Sequence, residues 1–459
     1  MERNGISFER KTTVAGHDSF FDPFFANAFT NAIKSLNLYK TYKIGVIMLL
    51  KIELENFFSI KNRIFLDFIA AKSNSRQARD LSYNVIDWNG TKVLKTIGLF
   101  GPNASGKSNI LKAINFCCRM VLESHLNNEG TVFNFMPFKF DGYDAKPSEF
   151  LIDFVCSGVE YEYSFALTRT EVLRESLYYY PNGKRAKVFT RDENAEEVYS
   201  FSPGIIVKPK DVAINTGKKN LFLSRASSMN RELPQELYRY FLNTFLLGLV
   251  DLNSVSVEEN FNAYKKVILK ALSICDTDIC DIKVRHEQVP APIMSSLASP
   301  ELNFRMIDIL RFQTIHKRAP NVVFDLDVEE SNGTRKLFQI LLRLLDVVRN
   351  GKSLMMDEFD MGLHTRLADF IIDLIHASEN SQLLFTSHNT NLIDMKRLRK
   401  DQVVFVNKLD DGSTEVYSLY DYKDFRDNMD AEKGYIQGRF DAVPFVDSTV
   451  MNLKQLLED

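Results

Sequence analysis

The chain contains one short glycine-rich stretch with few structural solutions, Gly101-Pro102-Asn103-Ala104-Ser105-Gly106-Lys107-Ser108. It fits the pattern G-x-x-x-x-G-K-[ST], in which the glycines let successive backbone N–H groups point into one concavity. A helix that follows such a loop adds its N-terminal partial positive charge at the same place. The pattern predicts a phosphate-binding loop, with Lys107 on the β- and γ-phosphates and the Ser108 hydroxyl on Mg²⁺.

The residues on either side of this stretch agree with the prediction. Residues 93–100 read as a buried strand, and residues 109–116 carry apolar side chains at helical spacing. The bare pattern would arise by chance in about one or two per cent of chains of this length. The alternative is a glycine-rich turn in an unrelated fold. The candidate nucleotide-contacting residues are Gly101, Pro102, Asn103, Ala104, Ser105, Gly106, Lys107, Ser108 and Asn109.

A second candidate site follows the very apolar strand predicted at residues 353–356. The strand ends in Asp357-Glu358, and α/β folds place their ligands at the carboxyl edge of the sheet. Asp357 would hold Mg²⁺, directly or through water, and Glu358 would orient or deprotonate the attacking water. An acidic helix cap or loop is the alternative. Another strand, at 382–386, precedes Ser387-His388, and His388 there can donate a hydrogen bond to a γ-phosphate.

A third candidate lies just before the strongly helical residues 336–348. Ser331, Gly333 and Thr334 offer hydroxyls, a glycine and a fresh helix N-terminus, which are the ingredients of a second anion site. Taken alone, the same residues read as an ordinary helix cap.

Length and composition describe a large globular protein. The 459 residues suggest roughly two to three domains, and 45% hydrophobic with 25% charged residues is ordinary usage. The net charge of −3 argues against a chain built mainly to coat nucleic acid. No apolar run approaches the ~18 residues of a membrane span, and no secretory signal is visible. With five cysteines and no Cys-x-x-Cys, we expect reduced thiols, a cytoplasmic location and no membrane partner.

The pattern of turns and periodicity predicts an α/β fold with a mixed, largely parallel sheet. The predicted division is an N-terminal extension at 1–47, dispensable if the working protein starts at Met48; the first half of a nucleotide-binding domain at 48–130; an antiparallel β lobe at 131–210; a helical insertion at 211–320; and the second half at 321–459. Residues 49–68 read as a hairpin, residues 289–292 as a break, and residues 322–327 as a strand of the closing βα alternation.

Two groups of basic residues are candidate contacts for DNA or RNA. One is Lys396-Arg397-Leu398-Arg399-Lys400, and the other comprises Lys208, Lys210, Lys218, Lys219 and Arg225. A charge run is usually a solvated face, and a track for the phosphate backbone is the alternative. The phenylalanines at 133, 135, 138 and 140 read as core rather than as a base-stacking platform.

Taken in order, the phosphate loop, Ser-x-Gly-Thr before a helix, a strand ending Asp-Glu and a strand ending Ser-His resemble the ABC-type ATPases of the SMC and RecF kind. The 250 residues between Lys107 and Asp357 fit a class in which an insertion divides the nucleotide domain. Finer matches resemble the AAA-type ATP-binding proteins of prokaryotic abortive-infection and anti-phage systems, of the AbiL and RloA sort. They lie at 357–364, 384–390, 398–402 and 435–444, and the resemblance covers about residues 48–446.

The resemblance implies an ATPase that uses ATP and Mg²⁺. Ser331 and Gly333 would contact the γ-phosphate of ATP held by a second copy, in a head-to-tail dimer or larger oligomer that hydrolysis releases. The expected function is a switch that controls a separately encoded effector in anti-phage defence. A RecF-like repair ATPase on DNA ends or single strands, and an ATP-gated scaffold without turnover, are the alternatives. Two departures are the lack of a clear glutamine after the phosphate-loop helix, and His364 where transporters carry an aspartate.

Overall fold

The structure, a computed structural model, describes residues 46–249, 252, 255–275, 277–293, 303–426 and 429–443. Nearly all of the predicted N-terminal extension lies outside these residues, as does Pro444, so the proposal that the extension is dispensable stays a prediction. The first described strand begins at Met48. Within the described residues, no helix combines the length and apolarity that a bilayer crossing requires.

The described residues form eighteen strands and nine α-helices. The strands are β1 Met48–Glu55, β2 Ile64–Asp67, β3 Val85–Trp88, β4 Thr91–Leu94, β5 Thr96–Phe100, β6 Ser148–Cys156, β7 Val159–Leu167, β8 Val172–Tyr179, β9 Ala186–Asp192, β10 Tyr199–Phe201, β11 Phe245–Leu247, β12 Ile279–Ile293, β13 Asn303–His316, β14 Ala319–Asp325, β15 Ser353–Met356, β16 Gln382–Ser387, β17 Val403–Lys408 and β18 Thr414–Ser418. The helices are α1 Arg76–Asp80, α2 Lys107–Glu123, α3 Pro209–Ile214, α4 Phe222–Ser228, α5 Glu232–Thr244, α6 Val255–Ile274, α7 Asn332–Asn350, α8 Thr365–Ala377 and α9 Ala431–Ile436.

The mixed, largely parallel sheet that the sequence predicts is confirmed. Its strand order is β11-β15-β16-β5-β17-β18, and only the pairing of β17 with β18 is antiparallel. Strands β5, β15 and β16 are buried at every residue because both faces of the sheet are covered. In β15, Leu354 and Met356 face the core formed with α6, α7 and α8, while Met355 faces the core on the other side. The two cores therefore enclose this sheet from both sides.

The predicted antiparallel lobe is also confirmed, as a seven-stranded sheet in the order β10-β9-β8-β7-β6-β1-β2. Strands β1 and β2 form the hairpin expected at 49–68, and β1 pairs with β6 in a register that places Ile52 opposite Ile152. The first strands of the predicted nucleotide domain thus share a sheet with residues 148–201. The division of the chain into domains stays a prediction.

The predicted helical insertion at 211–320 is wrong for residues 279–316. Helices α3 to α6 occupy most of the residues described up to 274, but β12, β13 and β14 then form a three-stranded antiparallel sheet. The reason lies in a period of two: Ile282 and Val284 alternate with Asp281, Lys283 and Arg285, and β-branched residues favour strands. Strand β14 pairs with β13, so the residues expected to be a strand of the βα alternation belong to this third sheet.

The break predicted at 289–292 is likewise wrong, since these residues continue β12. Pro290 lies opposite Met306 and Pro292 opposite Phe304. Proline is tolerated in edge strands, and β12 is an edge strand of its sheet. Residues two apart direct their backbone N–H positions to the same edge, so both prolines can face away from β13 without loss of a ladder hydrogen bond.

Candidate nucleotide-binding site

The phosphate loop, residues 101–108, joins β5 to α2 as the sequence predicts. Its backbone takes a left-handed turn, with φ of +62° at Ala104 and +112° at Gly106. Both glycines of the pattern are also required by packing. A Cβ on Gly106 would lie 2.0 Å from Thr414 Oγ1, and one on Gly101 would lie 2.1 Å from the Val406 carbonyl oxygen. The loop is therefore shaped both by its own sequence and by the strands that surround it.

Two side chains outside the predicted set hold this loop in place. Thr414 Oγ1 lies 2.8 Å from the Ser105 carbonyl oxygen and 2.7 Å from Ser59 Oγ, and Asn109 Nδ2 donates to Ser59 Oγ at 2.8 Å. Ser59 belongs to the turn that follows β1, so its position in a hairpin turn was visible in the sequence. Thr414 comes from β18, and nothing in the local sequence marks it.

Lys107 is the buried cation of the site, with 5% of its surface exposed. Its Nζ donates to the carbonyl oxygens of Gly101 at 2.8 Å and Pro102 at 2.9 Å. Burial lowers the pKa of the Lys107 ammonium to about 8, against the opposing effect of Asp357 and Glu358. The Ser105 hydroxyl is buried in the same loop and has no hydrogen-bond partner among the residues that the structure describes. A buried cation and an unpaired hydroxyl inside a left-handed turn fit a phosphate ligand.

The two predicted carboxylates lie at the same sheet edge, because β5, β15 and β16 are parallel neighbours. Glu358 has a φ of +44°, and its backbone N–H donates to Thr386 Oγ1 at 2.8 Å. The Thr386 hydroxyl in turn donates to Asp357 Oδ1 at 2.5 Å. Thr386, at the end of β16, thus fixes the turn that carries both carboxylates. No local sequence pattern marks Thr386 as part of the site.

His388 joins this group from the end of β16. Its Nε2 lies 4.0 Å from Glu358 Oε1. Burial and then the charge of Lys107 lower the pKa of His388, while Glu358, Asp360 and Asp357 oppose that shift. The structure therefore brings Lys107, Asp357, Glu358 and His388, which come from three separate parts of the sequence, into one electrostatic group.

Mg²⁺ fits the oxygen atoms at this edge. In the part of the chain that the structure describes, no group of three or more His, Cys, Asp and Glu side chains is arranged to hold a metal. Magnesium that is bound together with substrate phosphates takes only one or two carboxylates from the protein. The Asp357 carboxylate and the Ser108 hydroxyl are the donors that the sequence predicts for it.

The third predicted element, the Ser331 segment (residues 331–334), lies at the start of α7, with its first two residues exposed and its last two half-buried. Ser331 caps this helix, and its Oγ accepts a hydrogen bond from the Thr334 N–H at 3.1 Å. A Cβ on Gly333 would lie 2.9 Å from the Gly362 carbonyl oxygen, and Lys336 Nζ donates to the carbonyl oxygen of Glu358 at 3.0 Å. The segment packs beside the turn after Glu358, but among the described residues no hydrogen bond or ion pair joins it to residues 101–109.

The basic segment at 396–400 is not the solvated face that its charge pattern favours. Arg397 pairs with Asp369 and Asp373, and Arg399 pairs with Asp401 at 2.7 Å. Both arginines therefore neutralise carboxylates of the same chain. The phenylalanines at 133, 135 and 138 are buried in the core, as expected, whereas Phe140 is 60% exposed. His364, which departs from the transporter pattern, caps α8 by accepting from the Arg366 N–H at 3.2 Å.

Comparisons with known proteins give one family match. Residues 97–394 match the profile of a family described as "AAA domain, putative AbiEii toxin, Type IV TA system". No curated protein matches the chain. This match agrees with the AAA part of the predicted resemblance, and the narrower AbiL and RloA grouping stays a prediction.

Among solved structures, the chain is similar to SMC head domains. That of Thermotoga maritima is 16% identical with a TM-score of 0.36, over 81% of this chain and 98% of that one. The Pyrococcus furiosus head, solved with the C-terminal domain of ScpA, is 16% identical with a TM-score of 0.36, over 81% and 96%. The Pyrococcus yayanosii head is 14% identical with a TM-score of 0.37, over 81% and 97%. Likenesses this distant add nothing to what the strand order establishes.

Proposed function

The chain belongs to the AAA-domain family that residues 97–394 match, and from that premise we propose that it is an ATP-binding and ATP-hydrolysing switch. The observation that carries the proposal is the grouping of Lys107, Asp357, Glu358 and His388 at one sheet edge beside a left-handed glycine loop. These are the groups needed to bind a triphosphate, hold its metal and activate water.

Each residue has a distinct role in this proposal. The backbone of residues 101–108 and the Lys107 ammonium bind the phosphates, and Ser108 with Asp357 would hold Mg²⁺. When bound, Mg²⁺ neutralises charge on the phosphate oxygens. Glu358 orients the attacking water and accepts its proton, and His388 donates a hydrogen bond to the γ-phosphate. Thr386 keeps the Glu358 carboxylate in place through the backbone of its turn.

The proposed partner is a second copy of the chain. Ser331 is exposed at a helix N-terminus that favours negative charge, and it is not joined to the phosphate loop of its own chain. In a head-to-tail dimer or larger oligomer it would contact the γ-phosphate bound to the other copy. ADP lacks that phosphate, so hydrolysis weakens the assembly.

We propose that this cycle controls a separately encoded effector in anti-phage defence; the family description, which names a putative AbiEii toxin and a Type IV TA system, supports a role beside a second gene product. A cytoplasmic location follows from the same proposal and fits the five cysteines, all of which are free thiols. The DNA-repair alternative loses its candidate track at 396–400, where both arginines are paired with carboxylates. ATPase activity that DNA stimulates without any protein partner would favour that alternative.

The proposal is tested with two lysines of helix α2. Lys107→Ala removes the buried cation, and ATP binding and phosphate release are expected to fall below detection. Lys112→Ala, five residues along the same helix, removes an exposed lysine and serves as the matched control, with binding and turnover close to those of the unmodified protein. Equal ATP binding by the two variants, measured by titration calorimetry, would overturn the proposed nucleotide site.

A further inference from the structure

The hairpin formed by β12 and β13 is anchored on the helix that carries the Ser331 segment. Its strands are paired from Ile279 opposite His316 to Ile293 opposite Asn303, a span of roughly 45 Å. At its base, the ring of Phe312 lies 5.3 Å from that of Phe261 on α6 and 5.0 Å from that of Phe338 on α7. Residues 285–288 and 304–308 of its outer half are exposed. The hairpin is thus a long element with a buried base and an exposed outer half, which α6 contacts where Glu258 lies 3.2 Å from His286.

Side chains from the base of this hairpin hold the residue that precedes Ser331. Glu330 Oε1 accepts from Thr314 Oγ1 at 2.5 Å, and it lies 2.8 Å from His316 Nε2. Thr314 is fully buried, and the Glu330 side chain is only 9% exposed. Buried carboxylates are costly unless they are hydrogen-bonded, so Glu330 is tied to β13 rather than free to leave it.

A second connection runs in parallel with the first. Arg311 on β13 donates to Asp327 Oδ2 at 3.3 Å, and Arg335, in the first turn of α7, donates to the carbonyl oxygen of Asp327 and to Asn332 Oδ1. Asp327 therefore links β13 to the start of α7. Residues 327 and 330 both lie in the segment that leads to Ser331, and both are hydrogen-bonded to β13.

We propose that Glu330 is a positioning residue: through Thr314 and His316 it couples the position of the hairpin to the geometry of Ser331. This inference rests on the proposed function, because Ser331 is the residue that would reach the γ-phosphate of the second copy. A shift of β13 moves Thr314, and the Glu330 carboxylate must either follow it or lose a buried hydrogen bond. If the carboxylate follows, the adjoining Ser331 changes its distance from the shared nucleotide; if it does not, the segment before Ser331 loses the hydrogen bond that holds it in position. Events at the exposed half of the hairpin thereby alter ATP-dependent association without touching the phosphate loop.

The test uses full-length protein that carries Glu358→Gln, so that ATP persists during the measurement. Thr314→Val keeps the shape of the side chain and removes its hydroxyl, while Thr314→Ser keeps the hydroxyl and is the matched control. Because a hydrogen bond to a charged group is lost, Thr314→Val is expected to raise the protein concentration at which half of the chains are dimeric with ATP by about tenfold. Thr314→Ser is expected to restore most of the association. ATP affinity below the dimerisation range stays unchanged, because residues 101–109 are untouched.

Coupling through Ser331 is separated from general destabilisation by a double-mutant cycle. In a Ser331→Ala background, Thr314→Val is expected to have little further effect on association, because the residue it positions is already lost. Arg311→Gln, at a partly exposed side chain, tests the parallel connection if Thr314→Val folds poorly. Dimerisation by Thr314→Val and Arg311→Gln equal to that of the parent would overturn the inference, as would fully additive effects in the cycle. Absence of ATP-dependent dimers in the Glu358→Gln parent overturns the proposed function, and this inference with it.

Discussion

The phosphate loop and the Ser331 segment are both helix N-termini with the chemistry of an anion site, but they differ in burial and in the contacts that hold them. In the loop, Gly101, Ser105 and Lys107 are buried, and strands from both ends of the chain fix its shape. Ser331, by contrast, is exposed and caps α7. The hairpin contacts the residue before it, since Thr314 donates to Glu330. Under the proposed function, the first region is the half of the nucleotide site that binds ATP, and the second is the half that faces a second copy. This difference is the structural reason to expect that two copies are needed for one closed nucleotide site.

The largest expected effect is the loss of ATP turnover when the proposed catalytic base, Glu358, is replaced without disturbing nucleotide binding. Glu358→Gln keeps the shape of the side chain but cannot accept a proton, so turnover should fall by about a thousandfold. ATP binding should persist and dimers should accumulate, as measured by phosphate release and by light scattering with ATP. Glu196→Gln, the same chemical change at an exposed residue between β9 and β10, should leave turnover within about twofold. If Glu358→Gln left turnover unchanged, the assignment of the base would be wrong.

The rigidity of the phosphate loop can be broken with a single methyl group. At Gly106, φ is +112° and an added Cβ would meet Thr414 Oγ1 at 2.0 Å, so Gly106→Ala should lower the free energy of unfolding by about 3 kcal/mol. Gly90 also has a positive φ, but nothing lies within 4 Å of its added Cβ. Gly90→Ala should therefore cost only about 1 kcal/mol in denaturant unfolding. Equal losses would mean that contact with Thr414 does not shape the loop.

The parts of the site that could be predicted from the sequence are those in which a local pattern has one physical cause. The glycine loop between a strand and a helix, and the acidic pair after an apolar strand, both follow from backbone geometry at the ends of parallel strands. The ends of β15 and the start of α7 could be read in the same way, since apolar periodicity and a serine cap mark them. These signals lie within about twenty residues of each site.

What could not be predicted depends on contacts between distant parts of the chain. Thr414 and Ser59 meet at the loop across more than 300 residues, and no local pattern records such a meeting. The hairpin of β12 and β13 was not predicted for another reason. Pro290 and Pro292 would interrupt a strand that has neighbours on both sides. Only the strand order shows that β12 is an edge strand, in which prolines are tolerated. Tertiary position thus reversed the meaning of a strong local signal.

The proposed contact of Ser331 with a second copy is tested by comparing it with another serine that caps a helix in the same way. Ser331 Oγ accepts from the Thr334 N–H, and Ser75 Oγ accepts from the Ala78 N–H, both at 3.1 Å. Either change to alanine should cost about 1 kcal/mol of stability. Only Ser331→Ala should also weaken ATP-dependent dimerisation, by about tenfold, through the lost contact with a phosphate on the second copy. Sedimentation with ATP measures this, and equal dimerisation by both variants would leave Ser331 as a cap alone.

The smallest expected effect is the pH dependence that Lys107 gives to the phosphate loop. Burial lowers the pKa of Lys107 to about 8, so in the ATP-free protein its charge is lost as pH rises through that value. Bound phosphates favour the ammonium, and ATP affinity should therefore fall above pH 8, by at most about tenfold per pH unit. The lowered pKa of Lys107 has the opposite effect on folding: stability rises, rather than falls, as the pH increases above 8. Below pH 8 the folded protein bears the full cost of a buried charge, and that cost is relieved between pH 8 and the pKa of an unfolded lysine.

Lys107→Met removes this titration and separates the two effects. The variant should be more stable than the unmodified ATP-free protein at pH 7.5, and the difference should narrow at pH 9.5, where the unmodified lysine is largely neutral. Denaturant unfolding at both pH values measures the difference. A gap that is constant with pH would mean that the Lys107 ammonium is not destabilised in its loop. The carbonyl oxygens of Gly101 and Pro102 would then compensate fully for its burial, and phosphate would have to compete with them for the charge.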